Sequence, residues 1–249
     1  MSVLCRNCET IFEGKYCPEC GQKADVGRLD KAYLSRQLKK FFFLRFFESG
    51  ILYTCKLLVL SPGKAIRDYL EGRRVKYYDP FTLFIMLAAL YGVLYRMGDA
   101  NAFALLPDAD SVLGKIHFKD INQWVAGHFA IVVGLTLPLM ALVDMVLFRK
   151  QGYNFAEFFT VNIFLGIQRL MLRILLLPGL LMVQGTSNMS WYMDMTLSLD
   201  LILFAWAHVQ LFSHIHWFKA LWRAVFSFVI YLLLFSLFIG LAVWAIGLR

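Results

Sequence analysis

Charged residues make up only 17% of the 249-residue chain, against about 25% in an average soluble protein. That shortage excludes a disordered, a coiled-coil or a nucleic-acid-binding chain. No G-x-S-x-G, phosphate-binding glycine loop or H-E-x-x-H occurs, so hydrolase, nucleotide-binding and zincin chemistry have no motif to stand on. No cleavable signal peptide is expected, because the first twenty residues carry charges and four Cys in place of an apolar run. What is abundant is apolar surface: 59% of residues are hydrophobic, 16% are aromatic and the mean hydropathy is +0.61. Such a chain belongs mostly in lipid.

Of the five cysteines, four form two C-x-x-C pairs, Cys5-Arg6-Asn7-Cys8 and Cys17-Pro18-Glu19-Cys20. Each pair places two thiolates at one corner of a tetrahedron, and this spacing points to structural Zn2+, with a rubredoxin-like iron site as the alternative. Four thiolate ligands leave no open position for substrate. Residues 1–24 are therefore expected to be a zinc ribbon, either a protein-docking surface or a folded cap. Cys55 lies in an apolar stretch and reads as packing.

The net charge of +8 is front-loaded, since residues 1–79 hold 15 of the 25 basic residues. Beside apolar spans this favours anionic lipid over nucleic acid. After a polar linker at 21–30, Phe41, Phe42, Phe43, Phe46 and Phe47 alternate with Arg36, Lys39, Lys40 and Arg45, the pattern of an amphipathic helix in the headgroup layer. Ser61-Pro62 reads as a helix start, Gly72 as a stop and Asp79-Pro80 as the next start. Residues 31–79 are thus expected to form basic interfacial helices, with Arg67, Arg73, Arg74 and Lys76 binding anionic lipid.

Pro62-Gly63, Arg67-Asp68-Tyr69, Gly72-Arg73-Arg74 and Tyr77-Tyr78-Asp79-Pro80, together with the cysteine head and more loosely Tyr153 to Leu165 and the last two spans, resemble over nearly the whole length the bacterial membrane proteins grouped as domain of unknown function 3667. The resemblance implies a membrane location and an amino-terminal zinc ribbon, with no assigned activity. The family pattern sets His after Glu157, where this chain has Phe158, Phe164 and Gly166.

Long apolar runs at 80–95, 128–148, 155–183, 199–214 and 221–247 predict five transmembrane helices in an 80–249 domain. The fold class is then an all-α integral membrane protein with a cytosolic zinc-ribbon head and an amphipathic neck. Loop charge places the amino terminus inside and the carboxyl terminus outside the bacterial inner membrane. The loop from Asp110 to Gly127 is expected to lie on the outer surface as an amphipathic helix.

Ionisable and polar residues inside a bilayer are costly, so they mark places to look for function. Asp144, Glu157, Asn162, Gln168, Arg169, Arg173, Asp200 and His208 fall in the spans. Asn162, Gly166, Arg169 and Arg173 share one helical face, and Asp200 is the expected partner of Arg173 or Arg169. Asp144, Glu157, His214 and His216 approach one depth, with His208 and Asn162 deeper, where they could bind a second metal or relay protons. The leading expectation is a non-enzymatic protein recruiting a partner at the ribbon or organising lipid, with room for a homo-oligomer. The alternatives are a transporter or lipid mover using the polar face of the third span, and a membrane enzyme with a His/Asp/Glu site.

Overall fold

The computed structural model describes residues 2–30, 33–34, 50–101, 109–111, 114–116, 122–124 and 129–247. The expected helix through Phe41 to Phe47, together with Arg36, Lys39, Lys40 and Arg45, lies outside the described residues.

Two short strands, β1 (Val3–Leu4) and β2 (Ile11–Phe12), form an antiparallel ladder in the cysteine head. Among the described residues seven α-helices follow: α1 (Ile51–Leu60), α2 (Pro62–Leu70), α3 (Pro80–Met97), α4 (Phe129–Leu147), α5 (Phe155–Val183), α6 (Met189–Leu211) and α7 (Trp217–Gly247). Between α3 and α4, β3 (Ala109–Ser111) pairs antiparallel with β4 (Gly114–Ile116). At Asp110–Ser111 and Gly114–Ile116 this corrects the expected amphipathic helix, because apolar and charged residues alternating over so few positions suit a hairpin as well as a helix, while residues 122–124 are helical.

Among the described residues, three of the five expected spans are long and apolar enough to cross a membrane: Pro80–Met97, Phe155–Val183 and Trp217–Leu237. Central among the helices is α5, packed against α3, α4 and α6, while α7 packs on α4 and α6. Close approach is built into the sequence at Gly166, where a Cβ would lie 2.8 Å from the Phe84 ring of α3, and at Gly179, where it would meet the Tyr192 hydroxyl of α6 at 2.7 Å.

Helix starts follow local chemistry. Asp79 caps α3 by accepting from the Thr82 amide (3.0 Å), with Pro80 at the first helical position. Asn154 and Glu157 form a reciprocal capping box on α5. Ser61 precedes α2 without a side-chain cap bond. The reason for Pro62-Gly63 lies instead in packing, since a Cβ on Gly63 would fall 2.3 Å from both Gln210 Cβ and the Leu211 nitrogen of α6.

The neck is not a separate layer. Leu29, Leu58, Ile66 and Tyr69 belong to one continuous buried core with Phe84, Phe158, Phe164 and Phe204 of the long helices.

Candidate functional sites

In the head, the Cys5, Cys8, Cys17 and Cys20 sulfurs all lie within 4.8 Å of one another, with Cys5–Cys20 and Cys8–Cys17 at 3.5 Å. A tetrahedral ion with sulfur at about 2.3 Å needs sulfurs about 3.8 Å apart, so the donor set fits a metal. The two knuckles repeat one backbone pattern. The amides of Cys5 and Cys17 donate to the carbonyls of Thr10 and Gln22, and the amides of Glu9 and Gly21 donate back to the carbonyls of Cys5 and Cys17. Glu9 (φ 62°) occupies in the first knuckle the left-handed position that Gly21 (φ 73°) takes in the second. The Thr10 hydroxyl and amide beside its sulfur hold Cys8 down to about 6, whereas burial pushes Cys20 up to about 11. Among the described residues no other group of three or more His, Cys, Asp and Glu gathers closely enough to hold a metal.

The linker after the head is a strap. Arg28 donates from Nε and Nη2 to the two carboxylate oxygens of Glu157 at 2.5 and 2.6 Å, and from Nη2 to the Gly152 carbonyl at 2.5 Å. Bidentate pairing of this kind fixes orientation as well as charge. Leu29 is fully buried, and its carbonyl accepts from Asn154 Nδ2 at 2.8 Å. A second clamp comes from Arg74, which donates to the Tyr69 carbonyl (3.0 Å) and the Gly27 carbonyl (3.3 Å) and stacks over the Tyr33 and Tyr69 rings. The head is thereby held against the amino-terminal end of α5 and the end of α2.

Glu157 therefore sits at a helix end, salt-bridged and capping. His214 bonds Gln151, and His216 accepts from the Phe218 amide at the start of α7. The expected gathering of Asp144, Glu157, His214 and His216 does not form, because each finds a partner close by. Asp144 instead joins His208 and Asn162, with Ser227 added. Asn162 Nδ2 donates to Asp144 Oδ2 (2.8 Å), Ser227 Oγ donates to Oδ1 (2.6 Å), and His208 Nε2 lies 3.5 Å from Oδ2. His208 Nδ1 donates to the Phe204 carbonyl at 2.9 Å. One residue from each of α4, α5, α6 and α7 thus meets at a fully buried polar node. Ser227 carried no signal, since a lone serine in an apolar helix is ordinary.

Further along α5, Arg173 is ion-paired with Asp200 of α6. Arg169 lies over the Tyr231 and Phe228 rings of α7, 4.4 and 5.7 Å from their centroids. Asp200 Oδ1 has no partner among the described residues and borders a cavity, with room for about one water, lined also by Gln168 and Arg169. Gln168 Nε2 donates to the Leu58 carbonyl of α1 at 2.9 Å. The polar face of α5 is spent on contacts with its neighbours.

The four basic residues expected to bind lipid divide differently. Arg67 donates to the Gln210 and Leu211 carbonyls and to Ser213 Oγ, capping the end of α6. Arg73 pairs with Asp68 and Glu71, and Arg74 is held in the strap clamp. Lys76 is exposed, with no partner among the described residues.

Comparison with known proteins gives one match. Residues 48–92, covering α1, α2 and most of α3, match the family described as "Protein of unknown function (DUF3667)", which bears out the resemblance drawn from Pro62-Gly63 through Pro80. The cysteine head lies outside the matched stretch. No curated protein and no solved structure matches the chain.

Proposed function

We propose that the chain is a non-enzymatic protein of the bacterial cytoplasmic membrane. It crosses five times through α3 to α7, with the amino terminus inside and the carboxyl terminus outside, and presents a zinc-stabilised head for recruitment of a protein partner. Four convergent thiolates support a structural ion, since they leave no ligand position for substrate. The observation that carries the reading is the strap: Arg28, Leu29 and Arg74 fix the head on one end of the helical bundle. A partner bound to a head held so rigidly is presented at a set place on the membrane surface, which a freely tethered ribbon does not achieve. Lys115 and Lys119 against four Asp in the 97–127 loop, and Arg149-Lys150 in the next, support the orientation.

The test is crosslinked affinity purification from native membranes, comparing the intact protein with Cys5, Cys8, Cys17 and Cys20→Ser at equal membrane abundance. A partner lost only with the variant is the expected result. The same proteins recovered with both would contradict the reading.

A second reading, movement of a solute or lipid along α5, is favoured by the unpartnered Asp200 Oδ1 beside Gln168 and Arg169. On that reading Arg169→Ala abolishes flux in liposomes while the head variant does not.

A further inference from the structure

We propose that α1 and α2 form a shallow re-entrant hairpin, inserted from the head end of the bundle into one leaflet and gripping anionic phospholipid. Its apolar outer face meets acyl chains, and Lys56, Lys64 and Lys76 meet headgroup phosphates. This rests on the membrane reading above and goes beyond it by naming the partner of the neck.

The excursion is closed at its base. A Cβ on Gly50, just before α1, would lie 3.0 Å from the Lys76 carbonyl and 3.2 Å from the Tyr78 nitrogen, so the chain leaves and returns at one point. The Tyr78 amide donates to Thr54 Oγ1 (2.9 Å), which sets the first turn of α1 level with the start of α3. From there α1 runs inward. Its Leu58 carbonyl receives Gln168 Nε2, from a residue about 20 Å along α5 at 1.5 Å per residue. A side chain on α5 leans back toward the helix start, so the carbonyl itself lies somewhat nearer the head end than Gln168 Cα. After Ser61, α2 returns, with Gly63 against Gln210 near the end of α6 and Arg67 on the carbonyls that close α6.

This geometry explains the composition of α1. Only Thr54 and Leu58 are buried. Leu52 is 84% exposed, and Val59 and Leu60 are both more than half exposed, on a helix whose other side packs against α2 and α5. An apolar face of that kind, continuous with a spanning helix, matches hydrocarbon. The polar groups agree. Gln168 satisfies a carbonyl near the tip that lipid could not. Lys56 and Lys64 are exposed, like Lys76, and have no partner among the described residues. Their long stems allow the ammonium groups to reach back to the phosphates. A helix lying flat in the headgroup layer explains neither the Leu58–Gln168 bond nor the closed base.

The experiment places a spin label, through a genetically encoded ketone side chain, in turn at Leu52, Leu60, Lys76 and Leu90 of the full chain in nanodiscs. Relative access to oxygen and to a water-soluble nickel chelate then gives depth. Leu60 is expected to lie up to about 12 Å deeper than Leu52 along α1, with Lys76 back near the phosphates and Leu90 of α3 in the hydrocarbon. Equal depth at Leu52 and Leu60, or a water-exposed Leu60 with Leu90 in hydrocarbon, overturns the hairpin while leaving the spans intact. A water-exposed Leu90 overturns the membrane reading and the hairpin with it. In nanodiscs containing phosphatidylglycerol, Lys56, Lys64 and Lys76→Gln should reduce retained phosphatidylglycerol by about fivefold per lysine. Unchanged retention overturns the headgroup contact.

Discussion

A methyl group added at position 63 has nowhere to go, because its nearest neighbours at 2.3 Å include a backbone nitrogen of α6 that cannot swing aside. Gly63→Ala is therefore expected to push α2 off α6 and lower stability by about 2–3 kcal/mol, read by thermal unfolding in detergent. Gly134→Ala, with nothing within 4 Å, is the control and should leave the midpoint almost unchanged. The cysteine knuckles make a residue-scale prediction of a different kind. With the ion in place, iodoacetamide should leave Cys5, Cys8, Cys17 and Cys20 largely unlabelled at pH 7, and after chelation all four should label at similar rates, because the ribbon loses its order with its ion. Mass spectrometry before and after chelation checks this, and equal labelling of the four in both states would contradict it. The gathering of Cys5, Cys8, Cys17 and Cys20 was legible because each C-x-x-C pair marks a knuckle within four residues. Gly63 was legible only as punctuation before a helix, since the Gln210 it packs against lies far along the chain.

Among elements, α5 was read most fully. Its span from 155 to 183, its Asn154–Glu157 capping box and the shared face of Asn162, Gly166, Arg169 and Arg173 all follow from local spacing. What spacing does not reveal is that this face is divided among Asp144 of α4, Phe84 of α3, the rings of α7 and Asp200 of α6. The Arg173–Asp200 pair makes the division testable. Arg173→Leu leaves a carboxylate that is 3% exposed without its cation and is expected to cost about 3 kcal/mol; Arg173→Leu with Asp200→Leu should cost about 1 kcal/mol or less. A double variant as unstable as the sum of the single ones, in an unfolding titration, would argue against coupling. The strap between head and bundle escaped the sequence reading for a related reason. Arg28 and Glu157 stand 129 positions apart, and a short polar stretch with one leucine has the composition of a linker. Arg28→Ala and Glu157→Ala are each expected to lower stability by about 2 kcal/mol, the first because it leaves a carboxylate that is 4% exposed without its cation, the second because it also removes the bond to the Asn154 amide. Limited proteolysis within residues 21–30 should rise in both.

For the whole molecule, the strap residue Leu29, the neck and the long helices share one buried core that runs across residue 79, while the head keeps a small cluster of its own in Cys5, Phe12 and Cys17. Composition located helices long and apolar enough to cross a membrane but could not register that Leu29, Leu58 and Tyr69 face inward among the long helices. A metal-ordered head fixed on a membrane bundle is the centre of this account. Its most direct test is hydrogen exchange, followed by mass spectrometry, on the full chain in detergent micelles before and after metal chelation. Because a ribbon of this size cannot bury a core without its ion, chelation is expected to deprotect residues 2–24 and to loosen the strap through Leu29, while the amides of α5 keep their protection. Unchanged exchange across residues 2–24 after the metal is removed would contradict the account.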